Sequence, residues 1–335
     1  MIAMKKVSVI IPMHNAEKTI KRALDSLMNQ SYANIEVVVV NNNSTDKSIN
    51  IAKTYLNKLE LKLLNEKNSG PSYARNNGIE NSSGEYIMFL DADDYFEKDM
   101  VYEMVSAVKN NDLVCCNKYK VNNQKKTFEK FQNESIKSYG YIGLLEYMQK
   151  HAVFNTVWNK IYKKSIIIKN KIRFNTSMKV SEDYNFNIDY YRYVKSAVVI
   201  NAPLYNYVIS SSSITASYNL DEFEMRVKAV DNNLSLYKDK NYIAVYPMKF
   251  YIEALVQSVS KQLNAKATVD KEKLRQDVTA VWNKIMNCKR NCFSTDEKIL
   301  FQIIKMKNLN LIVLYINLRN FMKKVLYSVK GNIYR

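Results

Sequence analysis

Three acids close the run Gly84-Glu85-Tyr86-Ile87-Met88-Phe89-Leu90-Asp91-Ala92-Asp93-Asp94. Asp91 and Asp93 are two apart, so an extended backbone would point both side chains to one side. Two carboxylates on one side, with room for further oxygen ligands, suit Mg²⁺ or Mn²⁺ held against a diphosphate. The plain alternative is a surface turn after a strand, with Asp94 capping the next segment.

The elements around these acids must form a crevice. Tyr86 to Leu90 is apolar throughout, as in an interior strand of a parallel sheet covered on both faces. Acids at the end of such a strand fall where open α/β sheets bind ligands. Upstream, Val7 to Ile11 reads as a strand stopped by Pro12. A helix from about Ala16 to Gln30 comes next, with Ile20, Leu24 and Leu27 on one face. Ile35 to Val40 is a second buried strand, and Leu61 to Leu64 a shorter one. Ser44-Thr45-Asp46 offers capping side chains before the periodic run Ile49, Ala52, Tyr55 and Leu56. Pro71 suits the first turn of a helix running towards Ile79. Repeated strand–helix units mean a mainly parallel sheet flanked by helices.

From about Asp99 to Lys150 the pattern loosens, with a polar loop or hairpin at Asn122 to Lys126. Strand signals return at Ser196 to Ile200 and Tyr205 to Ile209, before a polar loop at Ser210 to Ser213. Beyond about Leu220 the spacing turns helical, as in Ile252, Leu255, Val256, Val259 and Leu263.

Among 335 residues, 47% are apolar, enough for a sizeable core. The net charge of +18 implies an anionic partner. Without a nucleic-acid module or a basic–aromatic strand platform, phosphates and an acidic membrane surface are favoured over nucleic acid. Cys115 and Cys116 are adjacent, and Cys288 and Cys292 are four apart on an expected helix. With only His14 and His151 besides, no zinc set forms at recognised spacing, and reduced, packed thiols are expected. The start lacks a signal-peptide layout, and the longest apolar stretch, Leu309 to Leu318, is too short to span a bilayer.

Four stretches together resemble family 2 glycosyltransferases of the GT-A fold: Val7 to Asn15, Val39 to Asp46, Gly70 to Gly78, and Gly84 to Asp94. They stand in family order and at family spacing. The resemblance runs over about residues 5 to 215; Val157 to Tyr162 and Ser181 to Phe186 are similar to capsule and wall-teichoic-acid type bacterial members.

The resemblance implies a GT-A catalytic domain over 1–219, with a nucleotide-binding half at about 1–98 and an acceptor half at about 99–219. A helical region would occupy 220–335. Pro12, His14, Asn15, Asn42, Arg75 and Asp91 would line the nucleotide. Asp93, with Asp91, would hold Mn²⁺ or Mg²⁺. Asp183 would be the general base, with Glu182 positioning it; neighbouring carboxylates raise each other's proton affinity. The plain alternative there is an Asp favoured at a helix start. Trp158 and Lys160 are candidates for acceptor or diphosphate contact.

Two positions depart from the family. Where an Asp usually accepts the uracil N3–H, this chain has Asn42, whose amide can accept that bond or be turned to donate to cytosine. Val208 stands where an Arg is common, so a diphosphate contact is missing or is supplied by Lys160, Lys163 or Lys164.

The expected activity is inverting, metal-dependent transfer of a hexosyl or N-acetylhexosaminyl group. The donor would be a nucleotide-diphosphate sugar, with UDP favoured. The acceptor would be a hydroxyl of a surface polysaccharide or teichoic-acid-like, lipid-linked chain. The alternatives are a non-catalytic nucleotide- or carbohydrate-binding relative and a sugar nucleotidyltransferase. From Leu300 to Arg335 the chain has no acid, while Lys305, Lys307, Arg319, Lys323, Lys324 and Lys330 intersperse apolar residues. This reads as basic amphipathic helices on the inner face of the cell membrane, or as a packing or homo-oligomer surface.

Overall fold

The computed structural model describes residues 4–109, 111–128, 136–139, 155–209, 222–234, 245–264, 269–286 and 295–333. The chain divides into two compact units, Met1–Ser210 and Ser211–Arg335.

The first unit is built on one sheet. Strands β1 (Val7–Met13), β2 (Ile35–Asn42), β3 (Glu60–Glu66) and β4 (Tyr86–Phe89) are parallel in the order β3-β2-β1-β4. Beyond β4 the sheet turns mixed. β9 (Lys160–Lys163) runs antiparallel to both β4 and β6 (Leu113–Asn122), and β10 (Ala197–Val208) runs parallel to β6. β5 (Tyr95–Phe96) closes the path beside β10; β7 (Lys125–Thr127) pairs with β6 and β8 (Ile136–Tyr139) with β10.

Pro12 does not stop β1, which pairs in register with β2 as far as Met13. The reason lies in β4. The Leu90 N–H donates to the Ile10 carbonyl at 3.0 Å, after which β4 departs. Pro12, two residues on, turns its nitrogen to that same vacated side, where no ladder bond is needed. The departure also opens the sheet between the end of β1 and the three acids.

Helices cover both faces. Alternate residues Val7, Val9 and Ile11 pack with Ile20, Leu24 and Leu27 of α1 (Ile20–Met28) and with Met100, Val101 and Met104 of α4 (Met100–Val108). On the other face α3 (Pro71–Asn81) lies close: a Cβ at Gly78 would fall 2.3 Å from Ile10 Cγ2. The first helix begins at Ile20, not Ala16. The Ala16 N–H is taken by Ser48 Oγ at 2.7 Å and the Glu17 N–H by Asp46 at 2.9 Å, which holds residues 15–17 to the loop before α2 (Ser48–Lys53). Asn122 to Lys126 is a hairpin turn, with Asn123 and Gln124 at positive φ. The two strand signals near 196–209 are the ends of one strand, β10, whose register slips around Pro203.

The second unit is helical: α7 (Glu222–Leu234), α8 (Val245–Asn264), α9 (Lys271–Ile285), α10 (Thr295–Lys305) and α11 (Leu309–Ile333), after α5 (Lys164–Lys169) and α6 (Glu182–Tyr191) of the first. Ile252, Leu255, Val256 and Val259 are buried against Leu274, Val278, Ile304, Ile312 and Ile316. Among the described residues no helix is long and apolar enough to cross a membrane. Cys288, Cys292, His151 and Ser210 to Ser213 lie outside the described residues, as do the side chains of Lys323, Lys324 and Lys330.

Candidate active site

The acids after β4 form a turn, the Asp94 N–H donating to the Asp91 carbonyl at 3.0 Å. This turn, not strand alternation, sets the directions of Asp91 and Asp93. Burial and the Asp91 charge push the Asp93 carboxyl above the usual carboxylate range. Asp94 does not cap the next segment. It is buried and accepts from the Tyr205 hydroxyl and the Val208 N–H, each at 2.7 Å. Burial, with Asp91 and Asp93 beside it, pushes its carboxyl up to about 8.

The second acid pair meets the first at Arg75. Pro71 opens α3 at its first turn, after Gly70 at φ 129, and places Arg75 one turn in. Glu182 and Asp183 open α6, after Ser181 in the left-handed region at φ 62. The Arg75 guanidinium lies 3.1 Å from Asp91, 3.3 Å from Glu182 and 3.0 Å from Asp183. Its flat face covers Phe174 at 5.4 Å, and Phe174 stacks on Phe186 of α6 at 4.1 Å. Burial would lower the proton affinity of Arg75, but the charges of Asp183, Asp91 and Glu182 outweigh it and raise it.

Burial dominates at Asp183 and pushes its carboxyl up to about 7; Arg75 opposes that, while Glu182 and Asp91 add to it. About a fifth of this side chain remains open to solvent, which suits a group that must receive a proton from a substrate. Arg75 Nε and Ser72 Oγ are buried without a hydrogen-bond partner. Asp183 Oδ1, though close to Arg75, has no aligned donor. Such orphaned atoms are uncommon in a finished core and mark a place where a ligand can complete the bonding.

The nucleotide-side candidates gather at the ends of β1 and β2. Asn42 is buried; its Nδ2 donates to the Asn68 carbonyl at 2.6 Å and its Oδ1 accepts the Gly70 N–H at 2.8 Å. These partners fix the amide, since turning it would set N–H against N–H and oxygen against a carbonyl. Exposed His14 meets the Asn42 carbonyl through Nδ1 at 2.6 Å. Asn15, at φ 47, accepts the Thr45 N–H at 2.8 Å. Half-buried Pro12 lies beside them at the end of β1.

The acceptor and diphosphate candidates are placed differently. Trp158 is buried and stacked on Tyr205 at 4.3 Å. Lys160 stands level with the end of β4 but is fully buried; its ammonium donates to the Thr156 carbonyl and to Asn159 Oδ1. Burial lowers its pKa to about 8. Lys160 is inside because β9 is an interior strand with β4 and β6 on its two sides, while Trp158, ahead of β9, is covered by Tyr205 and Tyr207. Lys163 pairs with Asp112 at 3.1 Å and Lys164 donates to the Ser82 carbonyl. β9 runs antiparallel to β4, so both lie at the sheet end away from the acids, opposite Tyr86. Two residues not assigned a role from the sequence reach the acid turn: Tyr205 and Arg22. Nothing local marks Arg22, and Tyr205 shows in the sequence only as the start of the strand signal that also holds Val208.

Could a divalent cation fit? Among the described residues no set of three His, Cys, Asp or Glu side chains stands ready to enclose a metal. Asp91 and Asp93 supply hard oxygen donors, and three carboxylates (Asp91, Glu182, Asp183) share the one Arg75 guanidinium. A cation completing its shell with diphosphate and water fits that surplus of negative charge.

A half-parallel, helix-flanked sheet with acids at the end of its fourth strand has the layout of the GT-A fold. The family model described as Glycosyl transferase family 2 matches residues 8–170. EpsH of Bacillus subtilis, a glycosyltransferase by name, is 30% identical over 246 residues, which is 72% of this chain and 71% of EpsH. The poly(ribitol-phosphate) beta-N-acetylglucosaminyltransferase TarP of Staphylococcus aureus is 30% identical over 192 residues, 56% of this chain and 58% of TarP. The crystal structure of S. aureus TarS 1-349 in complex with UDP-GlcNAc superposes with a TM-score of 0.71 at 21% identity, covering 93% of this chain and 90% of that one. The chain belongs to glycosyl transferase family 2 and has its GT-A fold.

Proposed function

We propose that the chain is a metal-dependent, inverting glycosyltransferase. It moves a sugar from a UDP-sugar to a hydroxyl of a bacterial surface polysaccharide or teichoic-acid-like, lipid-linked acceptor. One observation carries this reading: a single guanidinium joins Asp91, at the donor acids, to Asp183. Their carboxylates are thus no more than about 9 Å apart, the span of an Arg fork with one contact at each end. The donor acids and the expected base thus belong to one site, as bringing an acceptor hydroxyl to a bound donor sugar requires.

In this reading Asp183 takes the acceptor hydroxyl proton as its oxygen attacks the anomeric carbon. Glu182 and Arg75 hold Asp183 in place. Pro12, His14, Asn15 and Asn42 shape the nucleoside pocket. With its amide fixed, Asn42 offers the second lone pair of its oxygen, which suits the N3–H of uracil and not the bare N3 of cytosine. Mn²⁺ or Mg²⁺, held by Asp93 and Asp91, would offset charge on the departing UDP. TarS holding UDP-GlcNAc and TarP being named for N-acetylglucosaminyl transfer support a UDP-linked N-acetylhexosamine as donor. Residues 1–219 would carry catalysis and 220–335 an accessory role at the inner membrane surface or in self-association. On α11, Leu314, Leu318, Phe321 and Met322 are each more than half exposed, which supports that role.

Calorimetry with UDP, CDP and GDP, with and without Mn²⁺, tests the donor site. Metal-dependent UDP binding is expected, and equal binding of CDP would overturn the base assignment. Asp183→Asn should lower transfer by about 10²–10⁴-fold while UDP binding stays unchanged. Transfer that survives this change removes Asp183 as the base.

A further inference from the structure

The acids after β4 have little of their own to hold them. β4 is four residues long, and the turn beyond it carries a single internal backbone bond, from the Asp94 N–H to the Asp91 carbonyl. Metal ligands need their oxygens held to within about 0.5 Å, and a bare turn does not give that.

We propose that Tyr205, aided by Arg22, is a positioning residue that sets Asp91 and Asp93 for metal binding; this rests on reading those two acids as the metal-bearing pair. The Tyr205 hydroxyl accepts the Asp91 N–H at 3.3 Å and donates to Asp94 Oδ2 at 2.7 Å, so one oxygen ties both ends of the turn. The second Asp94 oxygen accepts the Val208 N–H at 2.7 Å, which fastens the turn to β10. The middle of the turn is held from the other side. Arg22 of α1 donates through Nη2 to the Asp93 carbonyl, and its guanidinium covers Tyr95 at 5.3 Å.

Tyr205 can serve as an anchor because it cannot itself move. It is fully buried, stacked on Trp158 at 4.3 Å with 22° between the planes, and lies 5.7 Å from Phe96. Trp158 thus acts as the plate behind the anchor. The arrangement also accounts for a buried third acid: Asp94 accepts from a phenol and an amide, and none of its contacts points to substrate. Partners that orient metal ligands typically change metal affinity by about 10- to 100-fold when removed.

The test uses the full chain, with Mn²⁺ as the probe. Free Mn²⁺ is followed by electron paramagnetic resonance, with and without saturating UDP, for wild type, Tyr205→Phe and Arg22→Ala. Tyr205→Phe keeps the ring stack and removes only the hydroxyl. Its Mn²⁺ dissociation constant in the presence of UDP should rise about tenfold or more, while UDP affinity without metal stays near wild type; the melting temperature falls modestly, because buried Asp94 loses a donor. A lower melting temperature with unchanged Mn²⁺ affinity would make Tyr205 merely structural and overturn the proposal. Arg22 is an exposed residue, so Arg22→Ala folds even where Tyr205→Phe does not. It should weaken Mn²⁺ binding several-fold, and no change would count against the proposal. If wild type with UDP binds no Mn²⁺, the metal reading of the acids fails first and the positioning role falls with it.

Discussion

Arg75 Nη1 lies 3.0 Å from Asp183 Oδ1 while Nη2 of the same guanidinium lies 3.1 Å from Asp91 Oδ1. One buried cation therefore couples the donor acids to the expected base, and it is outnumbered by its partners. Removing it leaves carboxylates facing one another in a site with little water. Arg75→Ala should cost about 3–5 kcal/mol of stability in the first unit, read as a lower melting temperature. Mn²⁺ should raise the melting temperature of the variant more than that of wild type, because a bound cation replaces part of the lost charge. Equal Mn²⁺ shifts in the two proteins would contradict the charge-balance account.

The proton affinity of Asp183 predicts how transfer depends on pH. Its carboxyl is pushed up to about 7, and a base works only when deprotonated. Transfer should therefore climb as pH rises through about 7 and level off above it. For stability the sign is opposite. A carboxyl raised from the usual 3.8 contributes stability below that value, and the contribution is lost as pH rises towards 7. Ligand-free Asp183→Asn should accordingly melt no lower than wild type at pH 8, even though it is inactive. A pH–rate profile together with calorimetric melting checks both signs.

Glu36 gives the reverse case, away from the site. Its side chain is fully buried in β2. Burial alone would raise its carboxyl, but bonds from the Ser8 hydroxyl, the Ser83 N–H and hydroxyl, and Lys62 bring it down to about 2. This charge contributes stability above the usual carboxylate value near 4.5, lost as pH falls from there towards 2. The shift corresponds to roughly 3 kcal/mol. Urea midpoints followed by fluorescence should fall steeply for wild type between pH 4.5 and 2.5, and much less for Glu36→Gln, which starts lower at pH 7.

Asn42→Asp would install the residue usual in the family, yet it should weaken UDP binding here. Aspartate cannot donate to the Asn68 carbonyl, now 2.6 Å from the Asn42 amide, so two oxygens would face each other in a buried place. Such a loss is worth about 1–3 kcal/mol, or roughly five- to 150-fold in affinity if the 66–70 loop must stay put for the nucleotide. Calorimetric titration with UDP decides it, and tighter binding by the variant would refute the fixed-amide account.

Much of this was legible in the chain because near neighbours carry it. Apolar runs announced β1, β2 and β4, Pro71 announced the start of α3, and the abrupt change from Phe89 and Leu90 to Asp91 announced the end of the strand. Strand, helix and turn preferences act over a few residues, so they can be read in order. The boundaries that slipped show where longer-range forces intrude. β1 passes through Pro12 because β4 has already left, and ahead of α1 residues 16–17 are tied by Ser48 and Asp46 to the loop before α2.

Out of reach of a linear reading was everything decided by segments that meet only on folding. Trp158 and Lys160 looked available for substrate, but Lys160 lies on β9, inserted between β4 and β6, and Trp158 is stacked on Tyr205, so both are inside. Val208 suggested a missing contact, while the feature that matters beside it is Tyr205, whose hydroxyl reaches Asp91 and Asp94 from more than a hundred residues away. Asp91, Arg75 and Asp183 were each visible as residues of the right chemistry. Their joining through one guanidinium depends on α3 and α6 converging over Phe174. Local preference shapes each element, but burial, charge balance and hydrogen-bond partners belong to pairs of elements and exist only once the sheet has brought them together.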